Sequence, residues 1–106
     1  MIIVIGRAEV DPAQLTAVRE AADAMMRATW AESGCLSYSL AVEDDGDAAA
    51  GRNAVVTIAE RWENADAIRA HGATDHMKAF NRAIGKSIRG IDVKMYDATN
   101  ERPVAL

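Results

Sequence analysis

Both histidines of the chain, His71 and His76, lie in the stretch AERWENADAIRAHGATDHMKAF from Ala59 to Phe80, close behind Glu60 and Trp62. A strand ending at Trp62 and running into two short helices would bring an aromatic ring, two imidazoles and apolar side chains to one small chamber. An imidazole exchanges protons near neutrality, which makes His71 a candidate base for a phenolic hydroxyl. Placed at the end of a short helix before Gly72, it would be favoured in its protonated form by the helix dipole and opposed in that by burial, or it simply caps the helix end. Glu60 shares a strand face with Trp62. Turned into an apolar cavity, its carboxyl would have a raised pKa and could exchange protons with a ligand or orient a histidine; turned to solvent, it would pair with a lysine or arginine.

Other residues offer walls and anchors. Trp62 and Tyr38 could stack against a flat ring, with the Tyr38 hydroxyl donating to it, although core packing is the default for a tryptophan. Met26, Met77 and Phe80 are core residues or pocket walls, methionine being suited to adaptable pockets. His76, just inside the second short helix, could line the cavity mouth or bond a carbonyl. Arg82 could anchor an anionic group or stand free on an exposed helix face. His71 and His76 are five apart with a glycine between them, and no Cys or acidic triplet completes a tetrahedral set, so no metal site is expected. Cys35 has no basic sequence neighbour to lower its pKa and is not read as a nucleophile.

The elements that must carry these groups are legible from periodicity. Ile2–Val10 alternates, with Ile2, Val4, Ala8 and Val10 opposite Ile3, Ile5, Arg7 and Glu9, and its apolar first half predicts a central strand. Asp11-Pro12 predicts a capped helix start, with Gln14 placed for a capping box. Leu15, Val18, Ala22, Met25, Met26 and Trp30 then form a helical stripe that Ser33-Gly34 ends. From Cys35 the period is two, with Leu36, Tyr38, Leu40 and Val42 on one face. Glu43 to Asn53, EDDGDAAAGRN, reads as a mobile hairpin connection, and Asn53 to Trp62 as the third strand. Asn64 and Thr74 are caps of two short helices, the first ending at Gly72, the second carrying Met77, Phe80, Ile84 and Ile88. Ile91, Val93 and Met95 alternate in a last strand, and Thr99 to Leu106 is read as an arm beyond a domain spanning residues 1–98.

The order is βαββαβ, that of a ferredoxin-like α+β domain with a four-stranded antiparallel sheet and helices on one face. Ile2–Ile5, Val55, Val56 and the small residues of the second strand would leave apolar surface on the other face, and a twofold homodimer packing sheet to sheet would cover it. With 106 residues, 50% hydrophobic and 26% charged, the composition is that of one globular domain. A net charge of −4 and scattered basic residues argue against nucleic acid as a partner. A single cysteine and an opening MIIVIGRAEV with neither basic leader nor spanning segment lead to the expectation of a soluble, cytoplasmic protein without a membrane partner.

The opening strand MIIVIGRAEV, the Ser33-Gly34-Cys35 turn with Tyr38, the AERWENADAIRAH block and DHMKAF together resemble the antibiotic biosynthesis monooxygenase family over nearly the whole chain, the last two blocks looking most like bacterial quinol monooxygenases. The resemblance implies a dimeric α/β barrel with a cavity between sheet and helices, in which a hydroquinone or polyphenol meets dioxygen without flavin, haem or metal cofactor. It also leaves a noncatalytic domain binding a small aromatic molecule as the alternative. A haem-degrading branch of this fold carries a histidine just after the DHMKAF-like block and an asparagine late in the first strand; here Asn81 and Gly6 stand there, which disfavours haem chemistry. Oxygenase members often carry an amide on the third strand before the tryptophan, where this chain has Ile58 and Glu60.

Overall fold

A computed structural model describes all residues 1–106. The elements are β1 (Ile2–Val10), α1 (Leu15–Trp30), β2 (Cys35–Asp44), β3 (Ala54–Trp62), α2 (Ala65–Gly72), α3 (Asp75–Ile84) and β4 (Ile88–Asp97). The four strands form one sheet in the order β2-β3-β1-β4, every neighbouring pair antiparallel. This is the expected ferredoxin-like α+β arrangement, and β1 is central as its sequence requires.

The local signals that set the elements operate as physical chemistry dictates. Asp11 accepts from Ala13 N, Asn64 from Ala67 N and Thr74 from Met77 N, so the turn leading into α1, and α2 and α3, start where a short polar side chain can satisfy a free amide. Gln14 takes no part in a capping box; Pro12–Gln14 forms a single 3-10 turn before α1. Gly34, at φ 82°, turns the chain from α1 into β2, and a Cβ there would collide with that of Ala67.

Strand alternation sends Ile2, Val4, Ala8 and Val10 of β1 and Val56 and Trp62 of β3 under the helices, where Val18, Ala22 and Met25 of α1 and Ile84 of α3 meet them in one core. Thr29, rather than Trp30, continues the buried stripe of α1 through spacings of four, three and four. Trp30 is 55% exposed, and its Nε1 donates to Tyr38 O at 2.8 Å. Leu36 also departs from expectation. The register skips it between Cys35↔Trp62 and Ser37↔Arg61, and this bulge turns Leu36 outward while keeping Tyr38 inside. Ile88 does not extend α3: Gly85–Ser87 tightens to a 3-10 turn, and Ile88 opens β4.

The connection from β2 to β3 is a built hairpin, with Asp47 bridged to Arg52 through paired backbone bonds and Asp47 Oδ1 accepting from Ala49 N and Ala50 N. The sheet face without helices is less apolar than expected. Ile2, Val4 and Val56 belong to the covered side, leaving Ile3, Ile5 and Val55 among Arg7, Glu9, Thr57, Asp92 and Lys94. No helix is long and apolar enough to cross a membrane.

Candidate active site

Between the helices and the sheet lies an apolar cavity of about 230 Å³. Ala8, Val10, Val56 and Ile58 form its floor, Val18 and Ala22 of α1 and Met77, Phe80 and Ile84 of α3 its roof, and Ile88, Ile91 and Val93 its β4 side. Tyr38 and Glu60 stand directly opposite each other on β2 and β3 and both line it. Asn81 is the remaining polar lining residue.

Glu60 is held in place by its own strand, since Trp62 Nε1 donates to Glu60 Oε1 at 2.8 Å. Two residues apart on one strand face is the spacing that permits this bond. Glu60 Oε2 has no hydrogen-bond partner, nor has the Tyr38 hydroxyl, and neither is sealed away; the one fully enclosed side-chain polar atom without a partner is Thr29 Oγ1. Burial raises the Glu60 carboxyl above the usual glutamate range, the Trp62 bond and the nearby His71 opposing that rise and Glu32 adding to it. Burial, then the charges of Glu60 and Glu32, push the Tyr38 phenol well above its ordinary value, which keeps it a hydroxyl donor.

Behind this wall is a compact group of rings. Trp62 is fully buried, edge-on to Tyr38 with ring centroids 6.3 Å apart, and His71 packs 4.8 Å from Trp62 and 5.2 Å from Tyr38. His71 Nδ1 lies 2.7 Å from Glu32 Oε2, and His76 Nε2 lies 2.8 Å from the same oxygen. An imidazole can present an N–H from either ring nitrogen, so each histidine can donate to this one carboxylate oxygen.

The structure therefore sorts the sequence candidates. Tyr38, Glu60, Met77 and Phe80 line the cavity. His71 and Trp62 do not; their place is behind Tyr38 and Glu60, where packing leaves no room for a ligand to stack on the indole. His76 reaches the same Glu32 oxygen as His71, its ring centroid 6.0 Å from that of His71, and it does not line the cavity; nor does Met26, whose sulfur accepts from Leu40 N. Arg82 is exposed on α3 and away from the cavity. Cys35 is half-buried, its thiol raised by burial and by Glu32 and Glu60, and so unsuited to act as a thiolate. Glu32 is the residue sequence reasoning missed. It stands in the turn after α1, and only the fold carries α2 and α3 to it.

The family model for the antibiotic biosynthesis monooxygenases matches residues 1–83. The chain belongs to that family. Among solved structures, this family member is similar to Rv0793 from Mycobacterium tuberculosis, with 28% identity, a TM-score of 0.74 and coverage of 96% of this chain and 98% of that one. It is also similar to a Caulobacter crescentus protein carrying a provisional designation as an antibiotic biosynthesis monooxygenase, at 26% identity and TM-score 0.79, covering 93% and 90% of the two chains. A Deinococcus radiodurans structure at 21% identity, with TM-score 0.81 over 99% of each chain, shares the fold. Among curated proteins there is no match.

Proposed function

We propose that this protein is a monooxygenase acting on a hydroquinone-type aromatic substrate within the cavity under the helices, with Glu60 as the proton acceptor. The observation that carries the reading is the cross-strand pair of Tyr38 and Glu60 at the wall of an otherwise apolar cavity, each with an uncommitted oxygen. Family membership supports the reaction class.

The chemistry needs no flavin or haem. Glu60 Oε2 takes a phenolic proton, a task its raised pKa favours, while the Tyr38 hydroxyl donates to the second oxygen of the ring. The electron-rich anion passes one electron to dioxygen, and the resulting radicals combine to place a carbon–oxygen bond on the ring. Loss of water then gives a hydroxyquinone: the quinol supplies both electrons, one oxygen atom stays on the ring and the other leaves as water. The apolar walls keep solvent from the intermediates. An apolar cavity of about 150 Å³ accepts benzene, so about 230 Å³ suits one ring or two fused rings. His71 serves as the packed support behind the pair rather than as the base assigned to it from sequence.

The test is oxygen uptake by purified protein given a panel of one-ring and two-ring hydroquinones. Uptake above autoxidation, falling by about 100-fold or more in Glu60→Gln, is the expected result. Saturable binding with no uptake from any substrate would instead leave the noncatalytic aromatic-binding reading. The same proposal includes a homodimer formed through the uncovered sheet face, where Ile5 and Tyr96 are half exposed. Sedimentation at micromolar concentration should give twice the chain mass, and a stable lone subunit would refute the dimer.

A further inference from the structure

The group of titratable side chains left unused by this chemistry is Glu32, His71 and His76, which meet from the turn after α1, the last turn of α2 and the first turn of α3. We infer that these three residues form a binding site for a divalent first-row transition metal ion, zinc foremost, that ties the three elements together behind the cavity wall.

Three ligand atoms, His71 Nδ1, His76 Nε2 and one Glu32 oxygen, lie within 4.8 Å of one another. Two imidazoles and a carboxylate are an established zinc donor set, three protein ligands leaving a fourth position for water. The shared contact at 2.7 and 2.8 Å keeps the donors aimed at one point without a cation. In a tetrahedral site with bonds of about 2.0–2.1 Å the donors stand about 3.3 Å apart, so on entry of the ion the carboxylate steps back by under about 1 Å and the nitrogens draw together. Each imidazole then moves its proton to its other ring nitrogen. The two side chains that must shift can do so, because Glu32 is in a turn and His76 is the most exposed of the three.

The environment calls for a cation. Glu32 is only 13% exposed at its side chain and has no lysine or arginine partner, and Glu60 nearby has none either. The ion has a way in and a place for its water on the side of His76, which is 27% exposed, whereas His71 closes the inner side. None of the three residues lines the cavity, so binding of the ion can be read without substrate or turnover.

The experiment uses the full chain without any affinity tag, stripped of metal, titrated with Zn²⁺ by calorimetry and with Co²⁺ by visible absorption. One ion per chain, cobalt bands of a four- or five-coordinate site, and at least tenfold weaker binding in both His76→Ala and Glu32→Gln are expected. His76→Ala removes a partly exposed side chain, so an unchanged circular dichroism spectrum separates loss of the site from loss of the fold. No stoichiometric binding by the parent chain, or equal affinity in the folded His76→Ala variant, would overturn the inference and leave the three residues as a hydrogen-bonded triad.

Discussion

Two hollows lie on opposite faces of the same sheet. The larger, about 680 Å³, is on the face without helices and is bounded by Ile5, Gly6, Arg7, Glu9, Glu43, Val55, Thr57 and Asp92. The smaller, about 230 Å³, is roofed by α1 and α3 and is apolar apart from Tyr38, Glu60 and Asn81. Their difference shows that volume is a poor guide to chemistry. The open hollow carries charges already committed to one another, Arg7 Nε donating to Glu43 at 2.9 Å and Thr57 Oγ1 donating to the same carboxylate at 2.7 Å. Water screens these pairs, and each contributes little. The covered hollow carries fewer polar atoms, but Glu60 Oε2 and the Tyr38 hydroxyl have no competing protein partner and act across a medium of low dielectric that strengthens their interactions.

Substitutions on the two faces should separate them, the largest effect coming first. Trp62→Ala empties the fully buried site behind the covered hollow and should cost about 3–5 kcal/mol in denaturant unfolding, while Ile5→Ala on the half-exposed open face should cost clearly less. Equal losses would mean that the helices do not define the core side.

A matched pair of threonines gives a sharper contrast. Thr29 is fully buried and its Oγ1 has no partner, so Thr29→Val should stabilise by about 1 kcal/mol. Thr57→Val on the open face removes a hydroxyl that already has an acceptor, and no gain is expected. The smallest effect is one of slope. Because the folded protein holds the Glu60 carboxyl above its ordinary range, this group's contribution to stability is fully present below the unfolded glutamate pKa and is lost as pH rises through the folded value. Across that window the parent chain should lose stability relative to Glu60→Gln, as measured by unfolding at a series of pH values. A parallel course would place Glu60 in solvent.

How much of this could be read in advance depends on the range of the interaction. The caps at Asp11, Asn64 and Thr74 are local, so their residue types reveal them. The shared face of Glu60 and Trp62 follows from the period of two, whereas their hydrogen bond depends on side-chain directions that the period does not supply. The phase of α1 is not set locally: spacings of three and four lead to Trp30 as readily as to Thr29 at the end of the stripe, and only packing in the fold selects Thr29. The bulge at Leu36 and the switch from helix to strand at Ile88 likewise depend on pairing partners distant in sequence. Glu32 had no signal of its own. Its bonds to His71 and His76 span 39 and 44 residues, and they exist because the topology returns α2 and α3 to the end of α1.

The central claim is that an aromatic substrate enters the covered hollow and meets Tyr38 and Glu60. Nuclear Overhauser contacts between the ring protons of an added hydroquinone and the protein, recorded under anaerobic conditions, test it most directly. Contacts to the Met77 methyl, the Phe80 ring and the Tyr38 ring are predicted; contacts confined to the methyls of Ile5 and Val55 would put the ligand on the opposite face of the sheet and contradict the account.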